Sequence, residues 1–340
     1  MNTPFRDQIN FLRHWTPLRV INALQIGLSF YVAKFTKKTV IIGSPISISI
    51  EPTTACNLGC PECPSGLKSF SRDTGNLKEN NFKTWIDQLH KKLVYINFYF
   101  QGEPFINGGI FEMIAYAKSK KIYSSTSTNA HFFSEAIAEK TVKSGLDRLI
   151  ISIDGTTQDV YEQYRVNGQL SKVIEGTKNI IQKKKELQSR TPHIIFQFLV
   201  VKPNEHQIED VKKLALELGV DEIRFKTAQV YNPSKNHPLI PKQEKYSRYR
   251  RNSDGTFSLK NKMENHCIRM WSSAVITWDG KVVPCCFDKD ATHQLGDLQK
   301  VTFQEVWKSP VYQSFRKQVF SDRKSIDICS NCSEGTKVWA

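Results

Sequence analysis

Three cysteines stand close together in the run Cys56-Asn57-Leu58-Gly59-Cys60-Pro61-Glu62-Cys63. Thiolates spaced CxxxCxxC on one loop can hold three irons of a [4Fe–4S] cube and leave the fourth iron without a protein ligand; a closed electron-transfer cluster takes four cysteines. An open iron is a ligand site that an amino group and a carboxylate can chelate together. Gly59 is expected to give the loop unusual dihedrals and Pro61 to stiffen it. Zinc fits poorly, because it prefers four nitrogen or sulfur ligands and this run has no histidine beside it.

A second group follows far downstream: Cys267, Cys285 and the CxxC pair Cys329 and Cys332. The segment Trp278-Asp279-Gly280-Lys281 reads as a hairpin turn that folds Cys285 back beside Cys267. Four thiolates close a site completely, and an all-cysteine zinc site would use the same parts as an iron–sulfur cluster. Cys286 is spare, either an alternative ligand to Cys285 or a buried small hydrophobe, ahead of a reactive thiol. All eight cysteines of the 340-residue chain fall in these two groups. Where thiols stay reduced, such grouping points to metal rather than disulfides.

The elements that position these groups alternate. Strand-like runs at 46–51, 93–100, 122–128, 148–153, 194–201 and 222–227 are separated by helical stretches such as 82–92, 109–120, 134–144, 170–187 and 208–218. Six βα units predict an α/β fold, a partial (β/α)6 TIM-like barrel open along one side, with its reactive groups at the C-terminal ends of the strands. That core spans 46–228. Residues 229–265 read as a connector, and 266–340 as a small C-terminal α+β cluster-binding extension with β pieces at 274–278 and 281–283 and a helix around 302–320. Residues 1–45 form a helical preface. Thr16 and Pro17 suit an N-cap and first helical position, and Ile21, Leu24, Leu28, Tyr31 and Phe35 then share one face. That stripe is expected to pack against the protein's own body. The second reading lays it on a membrane surface, with Lys34, Lys37 and Lys38 toward anionic lipid.

The cysteine loop after the first strand resembles the signature of the radical S-adenosylmethionine (SAM) superfamily, and the resemblance runs over residues 45–230. It implies that the open iron chelates SAM and that one-electron reduction of the sulfonium releases a 5′-deoxyadenosyl radical. Gln101-Gly102-Glu103-Pro104 is similar to the family's GGEP motif, with Gln in place of the first Gly, which implies that Gly102 and Glu103 hold the methionine amino group. Ser127-Thr128-Asn129 resembles the TN segment near SAM, and Ser152-Ile153-Asp154-Gly155 the polar ribose-contacting motif. Arg165 resembles an arginine that approaches the SAM carboxylate. Glu62 stands where the family often has an aromatic residue. The second cysteine group resembles a twitch or short SPASM-type extension, implying one auxiliary [4Fe–4S] cluster on Cys267, Cys285, Cys329 and Cys332.

The expected function is a radical SAM enzyme, oxidoreductase in type, that oxidises or modifies an unidentified substrate. The auxiliary cluster then serves as electron acceptor or substrate-side redox partner, and a flavodoxin or ferredoxin as donor. The alternatives are a peptide- or protein-maturing enzyme, a membrane-surface enzyme with a lipid substrate, and a non-enzymatic electron carrier. Only 45 residues precede the barrel, too few for a peptide-recognition domain. Glu244 and His237 in the connector are candidate bases that the sequence does not separate from surface residues. The formal charge is +15, and clusters on three and four thiolates contribute about −1 and −2, leaving about +12. Solvated helix faces such as Lys183–Lys185 account for much of this excess. An anionic substrate, acidic lipid or acidic partner would answer the rest. Nothing resembles a nucleic-acid-binding module. With no apolar run long enough to span a bilayer and no secretory signal, the expected location is cytoplasmic, with the inner membrane face as the peripheral option.

Overall fold

Strands alternating with amphipathic helices demand a parallel sheet with helices packed on it. The computed structural model, which describes residues 3–233 and 235–335, has that architecture. Residues 1–2 of the expected preface, 234 of the connector and 336–340 of the extension lie outside the described residues. The repeated part contains β1 (Ser47–Ile50), β2 (Tyr95–Asn97), β3 (Tyr123–Thr128), β4 (Arg148–Ser152), β5 (His193–Val200) and β6 (Glu222–Thr227). After it come β7 (Tyr249–Arg251), β8 (Phe257–Leu259), β9 (Ser273–Ile276), β10 (Lys281–Val283) and β11 (Gly296–Asp297). This is the expected α/β class with a partial (β/α)6 barrel. Strand β2 is much shorter than the run 93–100 because β1 offers only Ser47, Ile48 and Ser49 as its parallel partners.

The chain packs as two compact units. One comprises the residues up to Ile9, Cys56–Ser69 and Ser125–Asn261; the other comprises Asn10–Ala55, Phe70–Ser124 and the residues from Lys262 on. In the first unit β4 pairs in parallel with β3 and with β5, and β5 with β6. Leu149, Ile151, Ile195, Phe196, Phe198 and Val200 along these strands are fully buried, as parallel strands covered on both faces require. The connector contributes an antiparallel hairpin of its own, β7 with β8.

In the second unit β1 lies between β2 and β9, parallel to both. The first strand of the C-terminal extension thus joins the sheet at β1. Antiparallel β10 and β11 follow, and the turn before β10 is closed by Gly280 N donating to Thr277 O at 3.0 Å, with Gly280 at φ +92°. The helix expected around 302–320 is two helices, Phe303–Lys308 and Pro310–Asp322. Pro310 has no N–H to continue the first, and the Ser309 hydroxyl caps the second by accepting from Tyr312 N at 3.1 Å.

The preface helix, Pro17–Thr36, starts where expected, with the Thr16 hydroxyl accepting from Arg19 N. Its packing face is a correction. Ile21, Leu24, Leu28, Tyr31 and Phe35 are all exposed, and the helix meets the body through Asn22, Ile26, Ser29, Phe30 and Ala33.

Beyond β1 the chain runs through Glu51 toward the first cysteine loop. Glu51 is fully buried and takes a two-pronged ion pair from Arg72, Nη1 to Oε2 at 2.8 Å and Nη2 to Oε1 at 2.6 Å. Burial pushes the Glu51 carboxyl up, and the Arg72 guanidinium opposes it. Removing one member of a buried pair strands the other charge, so Glu51→Ala is expected to cost about 3–5 kcal/mol. A lowered urea midpoint against wild type measures it; an unchanged midpoint contradicts the ion pair's role.

Candidate functional site

A loop that offers three thiols must hold its backbone in one shape. In the first unit, Gly59 N donates to Val166 O at 2.9 Å, Cys63 N donates to Cys60 O at 3.3 Å, and Leu58 N points at Cys56 Sγ at 3.5 Å. Cys63 then takes the N-cap position of the short helix Pro64–Leu67, where Leu67 N donates to its carbonyl at 2.9 Å. Gly59 does not have a positive φ. The glycine this loop needs is Gly66, where a Cβ would sit 2.6 Å from Cys60 N. Cys60 is buried, and Cys56 and Cys63 are half-buried.

Arg165 caps the C-terminus of Gln158–Tyr164 and comes against this loop: its Nε donates to Asp154 Oδ2 at 2.5 Å, and its Nη1 lies 3.7 Å from Cys60 Sγ. Asp154, fully buried past the end of β4, also accepts Leu199 N on Oδ1 at 2.7 Å. Burial pulls the Arg165 guanidinium down, but Asp154 and Cys60 outweigh it and hold it well above its ordinary value. Burial pushes the Cys60 thiol up, opposed by Arg165. Asn129 follows β3 and donates from Nδ2 to Asn57 Oδ1 at 2.8 Å, tying a strand end to the cysteine loop. Ser152 is buried and Ser127 half-buried. Ser125, two residues before Ser127 and so on the same side of β3, has a buried hydroxyl with no protein partner among the described residues. The sequence pattern does not single it out. Glu62 accepts Tyr231 N at 2.9 Å and stands 3.7 Å from His237 Nε2, which sets His237 apart from Glu244 as a base candidate near the loop.

Gly102 and Glu103 belong to the second unit, five residues or more beyond β2. Gly102 has φ +74°, and a Cβ there would lie 2.3 Å from Thr53 O and 2.8 Å from Ala55 O, so only glycine fits. Glu103 is buried, donates its N–H to Ala55 O at 2.8 Å, and caps the short turn Pro104–Ile106. Both contacts are to the chain immediately ahead of Cys56.

Also in the second unit, Cys267, Cys285, Cys329 and Cys332 line one cavity. Cys286 is exposed and absent from the lining, which removes the buried-hydrophobe reading and separates it from Cys285. Among the described residues no three Cys, His, Asp or Glu side chains are grouped as the ligands of a single ion would be. The four thiols around one cavity suit the cube. Arg323, fully buried, donates from Nη1 to His266 O at 2.9 Å and from Nη2 to Cys332 Sγ at 3.4 Å and Glu334 O at 2.6 Å. Burial pushes the Cys329 thiol up to about 11 and raises the other three, while Arg323 opposes this at Cys267, Cys329 and Cys332. A cation fixed there favours thiolates, the form a cluster binds. Sequence reading missed Arg323; its only signal was a basic residue shortly before a CxxC.

Comparison with known proteins agrees with these two centres. The radical SAM superfamily profile matches residues 50–215, and an iron–sulfur cluster-binding domain of the SPASM type matches residues 267–333. The chain is 24% identical over 322 residues to the tungsten-containing aldehyde ferredoxin oxidoreductase cofactor-modifying protein of Pyrococcus furiosus, covering 84% of this chain and 86% of that protein. It is 22% identical over 318 residues to the PqqA peptide cyclase of Gluconobacter oxydans, covering 87% and 84%. Against the mycofactocin maturase MftC of Mycobacterium tuberculosis it is 29% identical over 139 residues, 41% of this chain but 35% of that one. Among solved structures, Streptococcus suis SuiB bound to S-adenosylmethionine superposes with a TM-score of 0.63 at 16% identity, covering 84% of this chain and 70% of that one.

Proposed function

The chain belongs to the radical SAM superfamily and carries a SPASM iron–sulfur domain, and on that premise we propose that it is a maturase that oxidatively modifies a peptide or a cofactor precursor. The observation that carries this reading is two cysteine sites of different capacity on one chain: a loop of three thiols beside the Asp154–Arg165 pair, and a cavity of four beside Arg323. When bound, the first cluster supplies one-electron reduction of the SAM sulfonium, and the second supplies an acceptor for the electron the substrate gives up. The substrate loses a hydrogen atom, which ends in 5′-deoxyadenosine, then one electron and one proton. An external flavodoxin or ferredoxin would supply the electron spent on SAM and take up the one left on the second cluster, so that no net electron is consumed.

In this reading Cys56, Cys60 and Cys63 hold the first cluster, and Cys267, Cys285, Cys329 and Cys332 the second. Gly102 and Glu103 receive the SAM ammonium, Arg165 its carboxylate, and Ser127, Asn129, Ser152 and Asp154 line or brace the SAM site. The division into core 46–228, connector 229–265 and auxiliary part 266–340 belongs to the same proposal. The peptide cyclase and the cofactor-modifying protein, each matched over more than four-fifths of this chain, support a peptide or cofactor precursor as substrate. Among the described residues no helix is long and apolar enough to cross a membrane.

Anaerobic reconstitution should load iron and sulfide for two cubes and yield 5′-deoxyadenosine under dithionite. Cys329→Ala should keep 5′-deoxyadenosine formation while oxidised product falls to background. A redox-neutral product, or undiminished product from the variant, overturns the assignment of the second cluster.

A further inference from the structure

An amphipathic helix on a protein surface normally buries its apolar side and wets its polar one. The Pro17–Thr36 helix departs from this, with polar residues among those it buries and apolar residues exposed. Its buried side carries Arg19, Asn22 and Ser29, and each finds partners. Arg19 donates to the carbonyls of His14 at 2.6 Å, His90 at 2.9 Å and Lys120 at 3.1 Å. Asn22 exchanges two hydrogen bonds with the Ser44 backbone at 2.8 and 2.9 Å, and the Ser29 hydroxyl accepts Ile42 N at 3.0 Å. These polar contacts, together with Ile26, Phe30 and Ala33, seat the helix.

Opposite them, at the 100° step of a helix, stand Val20, Ile21, Leu24, Leu28, Tyr31 and Phe35, all exposed, with Leu24 at 69% and Phe35 at 79%. Exposed Leu12, Leu18 and Ile42 lie in the same stretch of the same unit. Nine of the 18 large hydrophobic side chains exposed among the described residues therefore fall between residues 12 and 42. Scattered apolar exposure is ordinary, but a continuous face is a contact surface.

Charge identifies what the face contacts. Between Asp7 and Glu51 the chain has no acidic residue, while Arg13, Arg19, Lys34, Lys37 and Lys38 are basic. Arg13, Lys37 and Lys38 are exposed at the two ends of the helix, and the Lys37 ammonium sits 5.5 Å from the centre of the Phe320 ring. A second copy would bring like charges together. An apolar face with cationic ends and no anionic ones suits a leaflet of acidic lipid, with side chains in the acyl boundary and cations among the headgroups. We propose that the outward face of Pro17–Thr36 lies flat on an anionic membrane surface and docks the enzyme there. The helix lies in the interface rather than crossing it because its opposite side is held on the protein through Arg19, Asn22 and Ser29.

The test is vesicle flotation of the full-length, cluster-loaded protein. Wild type should float with phosphatidylcholine vesicles containing about a third phosphatidylglycerol, and roughly tenfold less with phosphatidylcholine alone. The triple variant Leu24→Ser, Leu28→Ser, Phe35→Ser should lose flotation on both while keeping iron content and 5′-deoxyadenosine yield, which shows that it is folded. Lys34→Gln, Lys37→Gln, Lys38→Gln should lose the preference for anionic vesicles. Wild type that stays in solution with anionic vesicles, a triple variant that floats unchanged, or a wild-type dimer dissolved by the triple variant without any lipid binding each overturns the proposal. The last outcome assigns the face to a second copy.

Discussion

Replacing Cys56, Cys60 and Cys63 together by alanine should abolish 5′-deoxyadenosine formation and remove one cube's worth of iron and sulfide, with the other cube retained. The effect is all-or-none because three ligands to one cluster act as a unit, and thiolate ligation is what holds the iron. The second cluster should persist: the Cys267, Cys285, Cys329 and Cys332 cavity and its Arg323 brace lie within the other compact unit and contain none of the altered residues. Iron and sulfide counts, paired with electron paramagnetic resonance of the reduced protein, read both halves of the expectation. A variant that still cleaves SAM under dithionite sinks the assignment of the loop. One that loses both clusters shows instead that the loop is needed for folding.

Much of this architecture was legible because its signals are local. Thr16 before Pro17, Ser134 ahead of a helix, and a β-rich run over 222–227 each depend on a few neighbouring residues, and the structure has them as expected. Cysteine spacing is similarly local in the run from Cys56 to Cys63 and in the pair Cys329 and Cys332, so these are legible without the fold. What failed depends on partners far away in sequence. The preface stripe was periodic as read, but periodicity gives two faces and does not say which one packs. Arg19, Asn22 and Ser29 chose the buried face because backbone groups around residues 42–44, 90 and 120 were there to receive them. Gly66 is a glycine that spacing does not single out, because what requires it is the close approach of Cys60's backbone. Arg323 and Arg316 were invisible for the same reason. Arg316 stacks 3.7 Å from the ring centre of Tyr312, its i−4 neighbour, and 4.3 Å from that of Trp307 on the preceding helix, and only the second of these contacts lies outside any helical spacing rule. The Pro310 break, by contrast, was readable and was overlooked.

The Asp154–Arg165 pair supports the second large expectation, because one carboxylate there has two jobs. Oδ1 accepts Leu199 N from β5, while Oδ2 receives Arg165 Nε. Asp154→Asn keeps an oxygen for Leu199 but turns an amide N–H₂ toward the guanidinium, so a donor faces a donor in a buried place. The pair's charge is lost as well, and stripping one partner from a buried ion pair costs about 3–5 kcal/mol. Arg165 would then no longer be aimed. If its guanidinium receives the SAM carboxylate, one charge-assisted hydrogen bond is at stake, worth about 1.5–3 kcal/mol, so the SAM dissociation constant should rise on the order of tenfold to a hundredfold. Arg165→Lys separates the two effects. It keeps the charge beside Asp154 and most of the stability but loses the planar fork, so it should weaken SAM binding with little change in the urea midpoint. Equilibrium dialysis of SAM and urea titration, run on both variants, on Asp154→Ala and Arg165→Ala singly, and on the double Asp154→Ala/Arg165→Ala variant, complete the comparison. The double variant should be less destabilised than the two single losses added together, since neither charge is left stranded. Additive losses would mean that the two side chains do not act as a pair, and normal SAM affinity in Arg165→Lys would remove Arg165 from the binding site.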